Sequence, residues 1–303
     1  MAWHRLDSAV APGMKTPKRE SDELWTPPKN AVEVDMTNTK LIFDGAALRV
    51  VLYPGDPRLL MVTLDWRRDG KADFSPANYS TNFARMGYAQ LSIKTKANDW
   101  FLNQDTLAAE AAMARLRPVF DRVHVLGFSM GGYGALRFAA ALGAQSVVAV
   151  SPQSSLHPDQ APFEQRYPVE AAGFDPILGD LSSHAVPDLR GLILIDPFEQ
   201  TDLAHARNIT ALFPKLQLAR LNFGGHPAFQ IVRETGKTWT LHHAAAAVAN
   251  PALIIAAHRA GRRGSAGYWQ RLAMAAQARH PALSAYAMVQ ADVIGVDAAR
   301  KSP

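Results

Sequence analysis

Residues 122–134 read Arg-Val-His-Val-Leu-Gly-Phe-Ser-Met-Gly-Gly-Tyr-Gly, and they contain the pentapeptide Gly-Phe-Ser-Met-Gly at 127–131. A short apolar run precedes Ser129, and an alanine-rich amphipathic stretch follows it. This context predicts a strand, a sharp turn and a helix, with the serine hydroxyl presented at the turn. The small residues Gly127 and Gly131 would let the strand and helix backbones pack closely. The stretch therefore predicts a nucleophile elbow with Ser129 as the nucleophile.

A serine nucleophile needs a base within hydrogen-bond reach and a third group that orients this base. Of the ten histidines, His226 comes directly after an apolar, strand-like run and just before a helical one. This position places it on the same edge of a sheet as Ser129. His226 is therefore the predicted base. His124 is expected to be a core residue of the strand, and His205 a surface residue of a helix.

Three carboxylates follow the apolar run 192–195 and are candidates for the orienting acid. Asp196 stands at the end of this run and could instead hold the loop through a turn hydrogen bond. Asp202 follows a short loop, and it could also cap the next helix. Because the acid must approach the base from beyond the strand end, Asp202 is favoured. Asp196 is the alternative, and Glu199 is the third candidate.

Such a site also needs donors for an oxyanion. The backbone N–H of Met130, at the start of the predicted helix, would point into the oxyanion site. A second donor is expected from the loop after the apolar run 59–64, where the N–H groups of Asp65 and Trp66 are the candidates.

Three aromatic residues are candidates for contact with a substrate. Trp100 follows the strand-like run 88–93 and would either wall the pocket or belong to the core. Phe163 and Tyr167 lie in the segment 151–190, where they would form an apolar wall for the substrate or the core of this segment.

Strand-like and helical runs alternate after the serine turn. The strand-like runs are 123–126, 146–150, 192–195 and 217–223, and the helical runs are 130–142, 203–213 and 228–235. This alternation predicts a parallel sheet with helices on both faces, whose strands end at one ligand-binding edge. Before the turn, the apolar runs 41–43, 48–53 and 59–64 are each bounded by Gly, Pro or Asp, which predicts hairpin-linked strands.

The composition of successive stretches predicts three parts. The first is an N-terminal arm (1–39), which is rich in Pro, Lys and Asp. The second is an α/β domain (40–237), whose segment 151–190 has many prolines and no clear periodicity. Because a loop of this length is usually functional, we expect it to form a short cap over the active edge. The third is a helical C-terminal extension (238–303), which is rich in alanine.

The 303-residue chain is 48% hydrophobic and has no cysteine, which excludes disulfides and cysteine-based metal sites. It has no apolar run of about 18 residues and no apparent signal sequence, so we expect no membrane span and a cytoplasmic location.

The net charge of +5 lies in 238–303, where seven Lys/Arg are present beside two acidic residues. No motif indicates a nucleic-acid partner, a metal site or a cofactor. The oligomeric state stays open.

The chain order of Ser129, then Asp202 or Asp196, then His226 resembles the α/β-hydrolase superfamily, over roughly residues 40–237. The resemblance implies a mostly parallel α/β-hydrolase-type sheet flanked by helices. It also implies an esterase-like serine hydrolase that cleaves an acyl ester of a small molecule or saccharide through an acyl-enzyme. Two alternatives are an acyltransferase acting on a sugar or other acceptor, and a partner-binding protein with a degenerate hydrolase fold.

Overall fold

An eight-stranded sheet forms the centre of the protein. The structure is a computed structural model that describes residues 38–76, 79–246 and 250–301. Its strands are β1 (Lys40–Asp44), β2 (Leu48–Tyr53), β3 (Asp56–Leu64), β4 (Tyr88–Thr95), β5 (Arg122–Phe128), β6 (Ser146–Val150), β7 (Arg190–Ile195) and β8 (Leu216–Arg220). The order across the sheet is β1-β2-β4-β3-β5-β6-β7-β8. β2 is antiparallel to both of its neighbours, and all pairs from β4 to β8 are parallel.

Helices cover both faces of the sheet. They are α1 (Thr81–Arg85), α2 (Thr106–Ala114), α3 (Met130–Arg137), α4 (Ala139–Leu142), α5 (Pro168–Ala172), α6 (Gln200–Leu212), α7 (Gln230–Glu234), α8 (Trp239–Ala246), α9 (Ala252–Gly261), α10 (Ala266–Ala276) and α11 (Pro281–Lys301). Short 3-10 turns form at Leu181–His184 and Arg262–Gly264. This architecture confirms the predicted α/β-hydrolase-type fold with its C-terminal helical region.

Two hydrophobic clusters lie on opposite faces of the sheet. In β7, Ile193 and Ile195 belong to one cluster, while Leu192 and Leu194 belong to the other. This division follows from the strand geometry, because successive side chains point to opposite faces. Leu241 of α8 is buried in the second cluster, so the first C-terminal helix packs on the sheet. The proposed domain boundary at residue 237 stays a prediction, and residues 1–37 of the proposed arm lie outside the described residues.

The predicted hairpin between β2 and β3 is wrong. Only β1 and β2 form such a pair, whereas β3 lies on the far side of β4 and runs parallel to it. The chain crosses the start of β4 at Gly55, where a Cβ atom would collide with the backbone nitrogen of Ala89. The glycine therefore permits a crossing in place of a turn.

Other expected boundaries also shift. The strand predicted at 217–223 ends at Arg220, and residues 222–223 form a turn in which Phe223 has a positive φ of 59°. The helix predicted at 130–142 is interrupted at Phe138 and forms α3 and α4. Among the described residues, no helix has both the length and the apolar character needed to cross a bilayer.

Candidate active site

Ser129 lies in a tight turn between β5 and α3. Its backbone has φ 48° and ψ −119°, which is a strained conformation for a residue with a side chain. Its N–H donates to the carbonyl of Val150 on β6 at 2.8 Å. A Cβ atom at Gly127 would collide with the carbonyl oxygen of Gly131, so glycine is needed where the strand and helix meet. The serine is only 6% exposed.

The structure brings Ser129, His226 and Asp202 into one hydrogen-bonded chain. Ser129 Oγ lies 3.0 Å from His226 Nε2, and His226 Nδ1 lies 2.8 Å from Asp202 Oδ2. A carboxylate only accepts, so the Nδ1–H donates to Asp202 and Nε2 is free to accept the serine proton. Burial acts to raise the pKa of Asp202, but the hydrogen bond and charge of His226, with the charge of Arg166, outweigh it and lower this pKa. The arrangement is competent for proton transfer from the hydroxyl to the imidazole.

Asp196, the alternative acid, has different partners. Its carboxylate accepts from the backbone N–H groups of Phe198, Phe223 and Gly225 at 2.9–3.0 Å. Asp196 therefore holds the loop that carries His226, and Asp202 is the carboxylate in contact with the imidazole.

The expected cap role of Asp202 is wrong. Asp202 lies inside the first turn of α6, and Glu199 occupies the N-cap position without a side-chain cap bond. The Asp202 carboxylate bonds His226 in place of the N-terminal N–H groups of the helix.

An arginine of the segment 151–190 contacts the same carboxylate. Arg166 Nη1 donates to Asp202 Oδ1 at 2.8 Å and lies 3.3 Å from His226 Nδ1. Its Nε and Nη2 bind Glu164 at 2.5–3.1 Å. Burial acts to lower the pKa of Arg166, but Glu164 and Asp202 outweigh it and raise this pKa, so the guanidinium is a permanent positive charge beside the site.

The network continues from Glu164 to His205. Glu164 Oε2 lies 2.9 Å from His205 Nε2, and His205 Nδ1 accepts from the N–H of Ser154 at 3.0 Å. Burial acts to raise the pKa of Glu164, but hydrogen bonds from His205 and Arg166 lower it to about 2. The expectation that His205 is a surface residue is wrong, since it is fully buried. No local signal in the sequence indicates this network, because Glu164 and Arg166 lie among many other polar residues in a segment without periodicity.

The aromatic candidates occupy different places. The Tyr167 hydroxyl lies 3.3 Å from His226 Nε2, and its ring packs against Trp100 with centroids 5.1 Å apart. Burial raises the pKa of Tyr167, which keeps its hydroxyl protonated. Phe163 packs on His205 instead, with centroids 4.8 Å apart. Tyr167 is therefore the aromatic residue in contact with the imidazole, and a substrate-binding role for all three stays a prediction.

The N–H groups of Met130, Asp65 and Trp66 are the predicted oxyanion donors, and they differ in the hydrogen bonds that they already make. Met130 is the first residue of α3, where N–H groups lack a partner within the helix. The N–H of Asp65 donates to Ile93 on β4 at 3.1 Å and is unavailable. The N–H of Trp66 donates to no other group in the part of the chain that the structure describes. Of the two alternatives on this loop, Trp66 keeps a free donor.

Asp65 and Arg67 on the loop after β3 are both paired with opposite charges. Lys71 Nζ lies 3.1 Å from Asp65 Oδ2, and Arg67 Nε donates to Glu170 Oε1 at 2.8 Å. The second pair joins this loop to the segment 151–190. Within the described ranges, no group of three or more His, Cys, Asp or Glu side chains is arranged to hold a metal ion.

No protein-family model and no curated protein sequence matches the chain. Among solved structures, it is similar to the capsule O-acetyltransferase of Neisseria meningitidis serogroup A, with 18% identity, a TM-score of 0.45 and coverage of 66% of this chain and 93% of that chain. Est1E from Butyrivibrio proteoclasticus is similar with 14% identity and a TM-score of 0.43, and the match covers 68% of this chain and 98% of that chain. An α/β serine hydrolase without a lid from Xanthomonas campestris is similar with 19% identity and a TM-score of 0.33, and the match covers 61% of this chain and 84% of that chain. The activities named are those of the solved proteins.

Proposed function

We propose that the protein is a serine hydrolase that cleaves an acyl ester through an acyl-enzyme on Ser129. The observation that carries the proposal is the unbroken series of contacts from Ser129 Oγ through His226 to Asp202, at 3.0 and 2.8 Å. A hydroxyl, an imidazole and a buried carboxylate in this order are what nucleophilic attack on an ester requires.

The proposed reaction has two halves. Ser129 Oγ attacks the ester carbonyl carbon while its proton passes to His226 Nε2, and Asp202 stabilises the imidazolium. The oxyanion accepts from the N–H groups of Met130 and Trp66. The carbon–oxygen bond to the leaving alcohol then breaks, and the alcohol takes the proton from Nε2. A water molecule, deprotonated by His226, attacks the acyl-enzyme, releases the acid and returns the proton to Ser129.

Replacement of the nucleophile tests the proposal. We expect Ser129→Ala to lower turnover of p-nitrophenyl acetate by about 10⁴-fold or more, because the covalent route is lost. Labelling by a fluorophosphonate probe should disappear, and the melting temperature should stay near that of the wild type. Equal labelling of the wild type and the variant contradicts the proposal.

Acyl transfer is a second candidate function, in which a sugar or other acceptor alcohol takes the place of water beside His226. Product analysis with and without added sugars or simple alcohols separates the two candidates. A transferase forms the new ester in preference to the free acid, whereas a hydrolase releases the acid in both cases.

A partner-binding role without catalysis is less well supported. Such a protein has no need to keep three reactive groups within hydrogen-bond distance inside a strained turn. The cytoplasmic location remains a proposal, which rests on the cysteine-free composition.

A further inference from the structure

Gln153 is a fully buried residue just after β6, and its side-chain amide contacts the serine hydroxyl. Its Nε2 lies 3.3 Å from Ser129 Oγ and 3.2 Å from the carbonyl oxygen of Ser151. Its Oε1 accepts from the indole N–H of Trp100 at 3.1 Å. Every hydrogen of the amide nitrogen is therefore used, and one of them points at the proposed nucleophile.

The chemistry of the partners determines the orientation of this amide. The indole N–H of Trp100 can only donate, and the carbonyl of Ser151 can only accept. Rotation of the Gln153 amide by 180° would place two donors face to face at Trp100 and two acceptors face to face at Ser151. The amide nitrogen must consequently face Ser129.

Backbone strain is concentrated on the partners of the same amide. Trp100, Ser129 and Ser151 have φ values of 51°, 48° and 47°, and each hydrogen-bonds to Gln153. Strained residues persist only where surrounding contacts hold them, and they collect at functional sites. One side chain thus joins three strained residues that lie on three separate loops.

The hydrogen bond from Gln153 directs the serine proton. A hydroxyl has one hydrogen and two lone pairs. Because Gln153 donates to one lone pair of Ser129 Oγ, the hydroxyl hydrogen must point elsewhere, and His226 Nε2 lies 3.0 Å away to receive it. Gln153 follows β6 and Trp66 follows β3, and these strands flank β5 on opposite sides. Gln153 therefore approaches Ser129 from the side opposite to the candidate oxyanion donor.

We propose that Gln153 is a positioning residue that orients the hydroxyl of Ser129 towards His226. Trp100 fixes the orientation of the Gln153 amide through its indole N–H. The inference rests on the proposed function. In acylation, Gln153 holds Oγ with its proton directed at Nε2. In deacylation, the bond between the acyl carbon and Oγ breaks, and Gln153 stabilises the charge that grows on Oγ until His226 returns the proton.

Two substitutions of Gln153 separate positioning from packing. Gln153→Met keeps the length of the side chain and removes both the donor to Ser129 and the acceptor for Trp100. Gln153→Glu, assayed above the pKa of the new carboxyl group, keeps the acceptor for Trp100 and removes the donor. We expect both to lower kcat for p-nitrophenyl acetate and the rate of fluorophosphonate labelling by about 10-fold or more, with KM nearly unchanged, since misplacement of a reacting group acts on the chemical step. If one variant fails to fold, the other carries the test.

Gln90 provides a matched control. It is another buried glutamine, on β4, and among the described residues its amide bonds only the backbone of Ser80, at 2.8 and 3.0 Å. We expect Gln90→Met to lower the melting temperature as Gln153→Met does, but to leave kcat unchanged. A normal kcat in both Gln153 variants, or an equal loss of kcat in the Gln90 control, overturns the proposal.

The role of Trp100 is tested with Trp100→Phe, which removes the indole N–H that bonds Gln153 and keeps an aromatic ring. We expect a smaller loss of kcat than for Gln153→Met, and no further loss in the double variant, because the two residues act as one unit. Independent, multiplying losses overturn the role of Trp100. If Ser129→Ala keeps its activity, the proposed function itself fails. If Ser129→Ala is inactive and the Gln153 variants are normal, only the positioning role fails.

Discussion

Asp196 and Asp202 are close in sequence and have different partners. Asp202 contacts an imidazole nitrogen, whereas Asp196 accepts from two backbone N–H groups of the loop around His226 and from that of Phe198 in its own turn. Sequence position alone could not separate them, because both follow β7 and both can reach the same edge. What separates them is the direction of each side chain, which depends on where α6 begins.

The same substitution at the two sites should have different effects. We expect Asp202→Asn to lower kcat by about 10⁴-fold, since an amide donor at His226 Nδ1 favours the imidazole tautomer that cannot accept the serine proton. It should also lower the free energy of unfolding, because Arg166 loses the charge of its buried partner. Asp196→Asn should lower the free energy of unfolding by about 1–3 kcal/mol and affect kcat less. Ester kinetics and urea unfolding check both. A larger loss of kcat in Asp196→Asn than in Asp202→Asn contradicts the assignment.

Ser129 and His226 were predictable because each follows an apolar strand within a local pattern. Gln153 and Arg166 were not, because their importance depends on partners far along the chain. Arg166 meets Asp202 across 36 residues, and Gln153 meets Trp100 across 53. A polar residue in a segment without periodicity carries no local signal of such contacts.

The segment 151–190 is tied to the site by charge. Glu164, Arg166 and His205 form a series of contacts that ends on Asp202, in which both carboxylates and His205 are buried and Arg166 is partly exposed. Breaking a buried pair leaves an uncompensated charge, which costs more than an exposed pair does. The segment is therefore anchored by the same carboxylate that orients His226.

This anchoring predicts a pH-dependent stability. The pKa of Glu164 is about 2, below its ordinary value of 4.5, so the folded protein binds this proton more weakly than the unfolded chain does. The stabilisation is complete above about pH 4.5 and is lost as the pH falls towards 2. We expect Glu164→Gln to lower the free energy of unfolding by about 3 kcal/mol at pH 7, measured by urea unfolding. The difference from the wild type should shrink below pH 4.5, and a constant difference down to pH 3 contradicts the prediction.

The element pattern of the parallel half was predictable from alternating strand and helix signals. The antiparallel edge was not, because the crossing from β2 to β3 depends on Gly55 passing the backbone of β4, and short strands beside Gly and Pro equally suit a hairpin. The early end of β8 had no sequence signal either, since the positive φ of Phe223 is imposed by its contacts in the fold.

At the scale of the whole molecule, the C-terminal helices support the loop that carries His226. Arg271 of α10 donates to the carbonyl of Phe223 at 2.7 Å, and His258 of α9 lies 3.0 Å from the carbonyl of Asn222. A Cβ atom at Gly225 would lie 2.9 Å from Arg271 Nη1, so the guanidinium packs directly on this loop. The position of His226 therefore depends on residues beyond the predicted hydrolase domain.

Removal of the contact between Arg271 and the His226 loop should reduce activity, although Arg271 does not touch the catalytic residues. We expect Arg271→Met to lower kcat by about 10-fold or more with little change in KM, because small displacements of a catalytic group slow the chemical step. Steady-state kinetics and a melting curve measure the effect. Arg279→Met, at an exposed position after the same helix, is the matched control and should behave as the wild type. Equal kinetics of the two variants contradicts the prediction.

The bond between Arg166 and Asp202 also limits how the protein can diversify. A loop exchange or a mutational library across 158–176 would remove the counter-charge of Asp202. Changes in this segment and changes in the charge beside His226 are thus inherited together. Laboratory evolution of the segment will separate them only where Glu164 and Arg166 are retained as fixed points and variation is confined to their neighbours.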